Sequence, residues 1–247
     1  MFSRFNCHFW LGLALLLLFG GLTACSEVEL QQALAKLPTT LNRPAALSTT
    51  DIAEGLKEAL RVGSERVVSQ VGRADGFNAD PTIHIPLPPK LADARKVLAK
   101  VGLSGMLDDL ETRCNRAAEA AAPQAKALFW KAIQAMTLED ARALLHGPND
   151  AATRYFQGKM TPELTVAMRP VIDDSLAQVG AVRVYQQVVA KVSALPLAPN
   201  IKTDLSGYVV NKAMDGLFHY LAIEEAAIRE NPAKRTSELL RRVFSGE

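Results

Sequence analysis

Residues 51–72 read DIAEGLKEALRVGSERVVSQVG, and this stretch decides the fold class. Ile52, Leu56, Leu60, Val67 and Val71 recur at the three- and four-residue steps that place side chains on one face of an α-helix. The spacing predicts a helix that opens near Thr50 or Asp51 and closes at Gly72, where a glycine ends the pattern. Gly55, Ala59 and Gly63 form a second stripe, four residues apart. Glycine inside a helix costs up to about 1 kcal/mol relative to alanine, so two in one stripe predict tight packing against another helix.

Residues 73–89 break the pattern. Gly76, Asn78 and Pro81 predict a loop, followed by Ile83-His84-Ile85-Pro86-Leu87-Pro88-Pro89. Proline excludes helical geometry from its predecessor, which makes this run extended. A period of two puts Ile83, Ile85 and Leu87 on one side and His84 on the other. Such a ribbon either covers the core or offers itself to a partner, and burial of its apolar side is the expectation because exposed apolar patches are uncommon.

From Lys90 onward the pattern is helical, punctuated at Gly102, Pro123, Gly147-Pro148, Gly158, Gly180, the Pro196–Asn200 loop and Asn231-Pro232. Thr137 with Asp140 approaches a capping box, and Thr161-Pro162 and Asn231-Pro232 each place an N-cap residue before a first-turn proline. The last long helix spans about Leu205 to Arg229, with Val210, Ala213, Leu217, Leu221 and Ile228 near one face. No series of alternating strands and no internal repeat appears. The expectation is an all-α single domain of eight or nine helices over residues 49–247, with one extended proline-rich segment.

The N-terminus carries a different signature. Arg4 precedes an uncharged run from Phe9 to Gly21, which has the shape of an export signal and is shorter than the roughly 20 apolar residues of an untilted membrane-spanning helix. It ends in Leu22-Thr23-Ala24-Cys25, which resembles the lipobox of bacterial lipoproteins. The resemblance implies cleavage of residues 1–24 as a signal peptide, a diacylglyceryl group on the thiol of Cys25, and acylation of the new amine with a fatty acid such as palmitate. Two or three acyl chains hold a soluble domain firmly on a membrane. Residues 25–48, with Pro38 and Pro44 and a short helix expected at Glu27–Leu37, read as the lipidated tether. Ser26, where aspartate would favour inner-membrane retention in an enterobacterial host, points to the outer membrane, with the domain facing the periplasm.

A wider resemblance then becomes usable. The segments Asp51–Leu60, Ile83–Pro88, Met136–Arg142 and Ala213–Phe218, with the closing stretch Arg229–Thr236, together resemble the bacterial domain-of-unknown-function 4197 family over roughly Asp51 to Phe244. The resemblance implies an exported, often lipidated protein with a helical domain, and it supplies no catalytic residue.

Signals for chemistry are sparse. The net charge of +2 gives no concentrated basic face for nucleic acid. His84, His146 and His219 show no metal-ligand spacing, and no nucleophile elbow or phosphate loop is present. The site reading is therefore catalytic none, cofactor none, metal none, and lipid attachment at Cys25. Cys114, between Arg113 and Arg116, is expected as a packed helix residue rather than a reactive thiol. Asp108-Asp109, Asp173-Asp174 and Glu224-Glu225 are expected on solvated faces, because helix neighbours point about 100° apart. Phe129, Trp130, Tyr155 and Phe156 are expected to fill core. The functional expectation is a lipid-anchored binding or scaffold module that meets envelope proteins, with a carrier of an apolar ligand as the first alternative and an envelope hydrolase as the second.

Overall fold

Ala46–Glu247 forms one compact unit, and the computed structural model describes residues 48–195, 200–235 and 237–245. The expected signal peptide at residues 1–24, Cys25, the expected helix at Glu27–Leu37 and most of the Pro196–Asn200 loop lie outside the described residues. Nine α-helices and no strand occur among those described: α1 (Thr49–Val71), α2 (Pro89–Ala99), α3 (Gly105–Ala121), α4 (Ala125–Gln134), α5 (Leu138–Leu145), α6 (Ala151–Gln178), α7 (Ala181–Ser193), α8 (Leu205–Glu230) and α9 (Glu238–Ser245). The fold is all-α, as the periodicity predicts. None of these helices is long and apolar enough to cross a membrane.

Helix α1 starts where Ser48 and Asp51 exchange hydrogen bonds: the Ser48 Oγ accepts from the Asp51 N–H at 3.1 Å and Asp51 accepts from the Ser48 N–H at 3.0 Å. That reciprocal arrangement satisfies donors at the open end of the helix. Gly72 caps the other end. Leu56, Leu60, Val67 and Val71 are buried as their spacing requires, and so is the Gly55–Ala59–Gly63 stripe, against which Ile228 of α8 packs. Helix α8 is sandwiched between α1 and α6, while α3 lies across α6 and α7; α4, α5 and α9 complete the layer around α1. Phe129, Phe156 and Phe218, from α4, α6 and α8, meet edge to face with ring centroids 6.0 and 6.2 Å apart, and fix where three helices converge.

One expected break is absent. Thr161-Pro162 does not start a helix; α6 runs unbroken through Gly158, Pro162 and Pro170. Both prolines are exposed, as are Gly158 and Val166, the residues four positions before them. The carbonyls deprived of a donor therefore lie on the water side, where hydration replaces the lost bonds. By contrast, Asn231-Pro232 does act as a cap: the Asn231 side chain accepts from the Ala233 N–H at 2.9 Å. Thr137 and Asp140 form a full capping box at the start of α5.

The Ile83–Pro89 run lies outside any helix up to Pro88. Ile83, Ile85 and Leu87 are buried, Pro86 is exposed, and His84 is half-buried. The apolar side of this segment covers the core.

Candidate functional site

Three polar groups on one face of α3, four residues apart, hold the segment 77–85. Asn115 is wholly buried; its Oδ1 accepts from the Ile85 N–H at 2.8 Å, and its Nδ2 donates to the Ile85 carbonyl at 2.9 Å and to the Glu111 carbonyl at 2.9 Å. The side-chain amide thus pairs with a chain segment as a neighbouring strand would. One turn on, buried Glu119 accepts from the N–H groups of Phe77 and Asn78 at 3.1 and 2.9 Å. One turn back, Glu111 meets Nε2 of His84 at 2.9 Å, while Nδ1 of that ring sits 2.9 Å from the Asn78 carbonyl. Arg95 joins Glu111 and Asp108, each at 3.0 Å. The far side of the loop is tied by Tyr220, which donates to Asp80. Burial raises the Asp80 carboxyl, but the bonds from Tyr220 and from the Thr82 and Ile83 backbones outweigh it and hold it below the usual range. The same bond raises the Tyr220 phenol. Every group in this cluster already has a protein partner, so the cluster orders a loop rather than awaiting a substrate.

The second polar cluster corrects an expectation. Glu225 and Arg229 are not on a solvated face: the pair is 2.9 Å apart, with side-chain exposures of 5% and 9%. Glu225 accepts from the Ala152 N–H, the Thr153 N–H and the Thr153 hydroxyl, each at 2.9 Å, and so caps the start of α6. Arg229 donates to the carbonyls of Leu144 and Leu145 at 2.8 and 3.1 Å and caps the end of α5. A carboxylate thus meets the positive end of one helix and a guanidinium the negative end of another, as the helix dipoles favour. Neighbouring Glu224 behaves differently, pairing with Arg66 at 2.7 Å across to α1.

Trp130 is the other correction. Ala125, Phe129 and Ile133, at four-residue steps on α4, are buried. Trp130 follows Phe129 by one residue, hence by about 100° of helix rotation, and leaves the core face with 43% of its surface exposed. It lines a groove of about 510 Å³ with Arg61, Ser64 and Glu65 of α1 and with Pro123, Gln124, Lys126 and Ala127 at the start of α4. An ion-pair chain runs beside the groove: Glu58 grips Arg61 through two bonds of 2.8 Å, Arg61 reaches Glu65 at 3.2 Å, and Glu65 reaches Lys126 at 3.2 Å. The hydrogen bonds with Glu58 push the Arg61 guanidinium above its usual range, and the same contact lowers Glu58.

The remaining candidates stay apart. Cys114 is 2% exposed, and burial, with a smaller contribution from Glu111, pushes its thiol up to about 12; Arg113 and Arg116 do not activate it. Asp108 and Asp109 turn to different arginines, Arg95 and Arg113, and Asp173 and Asp174 are exposed. His146 and His219 are exposed on α5's C-cap and on α8. Among the described residues, no group of three or more His, Cys, Asp or Glu is placed to hold a metal ion. Cys25 lies outside the described residues.

Comparison with known proteins gives one family. A model of the family described as "Protein of unknown function (DUF4197)" matches residues 46–245. No curated protein and no solved structure matches the chain.

Proposed function

From the premise that the chain belongs to the DUF4197 family, we propose that it is a lipid-anchored binding module of the cell envelope. Cys25 carries the lipid on the outer membrane, the helical unit faces the periplasm, and the groove beside Trp130 takes up another envelope component. The observation that supports the binding role is Trp130 itself. It is a large amphipathic ring, 43% exposed, on the wall of a groove of about 510 Å³, a size within the ordinary range of ligand sites, ~300–1,000 Å³. Tryptophan is enriched among the side chains that anchor partners. A carrier of an apolar molecule fits less well. The apolar pocket between α1 and α8, lined by Leu56, Leu60, Leu221, Ile228 and Phe244, has about 10 Å³, about the room of one water. A hydrolase would need carboxylates or histidines converging on a cleft; buried Glu119 and Glu225 are spent on loop and cap contacts, while Asp173 and Asp174 on α6, His146 at the end of α5 and His219 on α8 are exposed.

The test is photo-crosslinking in living cells, with a benzophenone amino acid at exposed Ala127 in the groove and, as control, at exposed Val166 on α6. The reading requires an adduct from position 127, not from 166, in the membrane fraction, and loss of that fractionation in the Cys25→Ser chain. Equal adducts at both positions would remove the groove as the binding surface, and a Cys25→Ser chain that still fractionates with membrane would remove the lipid anchor.

A further inference from the structure

We infer that the occupant of the Trp130 groove is an uncharged oligosaccharide, with one pyranose ring stacked on the indole. The inference rests on the proposed reading of the groove as the binding surface and names its ligand.

Charge is the first argument. The cations of the groove, Arg61 and Lys126, are each paired with Glu65 at 3.2 Å, and Arg61 is held further by Glu58. The cations and carboxylates alternate and match in number, so the ion-pair chain carries no net charge that would select an anionic or a cationic ligand. A neutral ligand breaks no pair. The second argument is the chemistry left unpaired. Trp130 is the one aromatic among the large apolar side chains exposed in the described residues, and neither its indole N–H nor the amide of exposed Gln124 has a hydrogen-bond partner among them. An apolar plate flanked by a spare donor and a spare amide complements a pyranose, which has a C–H face and a rim of hydroxyls. Tryptophan suits such a ligand because one side of it is apolar and its N–H seeks a partner.

The third argument separates a sugar from a protein. Protein interfaces are depleted of Lys and Glu at their centre and enriched in contiguous apolar contact. Here the lining includes Arg61, Glu65 and Lys126, and besides Trp130 the apolar lining is confined to Pro123 and Ala127. The other large exposed apolar residues, such as Leu138, Val166 and Ile223, do not line it.

The experiment is calorimetric titration of the full chain in detergent micelles with the tetramer of N-acetylglucosamine. Expected is saturable binding, with Kd on the order of 1 mM or tighter. Trp130→Ala should weaken it about tenfold or more, and Trp130→Phe and Gln124→Ala each about threefold, with thermal midpoints unchanged because both positions are exposed. Should Trp130→Ala unfold the chain, the other two variants carry the test. Absence of saturable binding, or binding indifferent to these variants, overturns the saccharide. If the tetramer fails while the position-127 adduct persists and proves to be a protein, the groove remains a binding surface with a different occupant; if the adduct is missing too, both readings fall.

Discussion

Replacing Asn115 with alanine should be among the most damaging single changes in the domain, and the size of the loss follows from what is left behind. The Ile85 N–H and C=O are held by the Asn115 amide at 2.8 and 2.9 Å, and both residues are wholly buried. Truncation leaves that N–H and that carbonyl in the interior without a partner or access to water. Each unsatisfied group costs about 1–3 kcal/mol, so Asn115→Ala loses roughly 4 kcal/mol, a large share of the ~5–15 kcal/mol that stabilises a domain. Asn115→Asp separates hydrogen bonding from packing. It keeps the shape, but it exchanges the donor for an oxygen facing the carbonyls of Ile85 and Glu111, each 2.9 Å from Nδ2. The aspartate variant should be at least as unstable as the alanine one at neutral pH. Urea unfolding followed by far-ultraviolet circular dichroism reads this as a fall in midpoint with an unchanged slope. A loss below about 1 kcal/mol in both variants would refute the claim that this amide pins the segment.

Four other changes test separate parts of the structure. Arg229→Ala strands buried Glu225 and uncaps α5, a loss of about 3–5 kcal/mol; a thermal midpoint within about 2 °C of the parent would contradict it. Cys114 should resist thiol reagents in the folded chain at neutral pH and react only on unfolding, and rapid native labelling would show the buried placement to be wrong. Its thiol rises from 9.0 to about 12 on folding, so the neutral form is favoured in the native state: the resulting stability is complete below pH 9 and is lost as pH rises from about 9 to about 12. Across that window the parent should lose stability relative to Cys114→Ala; parallel curves would count against it. Gly216→Ala should destabilise by about 1–3 kcal/mol, because the new Cβ would stand 2.7 Å from Phe77 Cε1 and 3.2 Å from Ile83 Cβ. Gly63→Ala should instead stabilise by about 0.5–1 kcal/mol, since its Cβ meets only Glu224 and Ile228 side chains at 3.5 and 3.6 Å. Equilibrium unfolding of the two alanine variants should shift in opposite directions.

What was legible in the sequence was whatever repeats at helical spacing or sits in a local cap. The α1 face, the bounds of α8, the all-α class and the buried side of Ile83–Leu87 follow from patterns within one element. The Gly55–Ala59–Gly63 stripe is buried, but it does not mark a tight approach at Gly63, which has room for a methyl group. The position that excludes one is Gly216, where α8 meets Phe77 and Ile83 from a loop more than a hundred residues earlier in the chain. No spacing within a single helix could single it out. Trp130 was misplaced through its neighbour: being next to Phe129 suggested shared burial, whereas the Ala125, Phe129, Ile133 steps place the two rings about 100° apart.

The buried polar groups were illegible for a deeper reason. Asn115, Glu119 and Glu225 each satisfy main-chain groups, and a backbone N–H or C=O is the same at every non-proline residue. A carboxylate that caps a helix start 73 residues away therefore has no complementary residue type in the sequence to announce it. Glu225 and Glu224 are the sharpest case, since adjacent acids of identical type end with different partners, backbone at a helix start for one and Arg66 for the other. Helix rotation turns one toward the start of α6 and the other toward Arg66. The same reasoning bears on function: in this domain a buried carboxylate or amide that meets backbone is spent on architecture, whereas at the groove the Trp130 indole N–H and the Gln124 amide have no such partner.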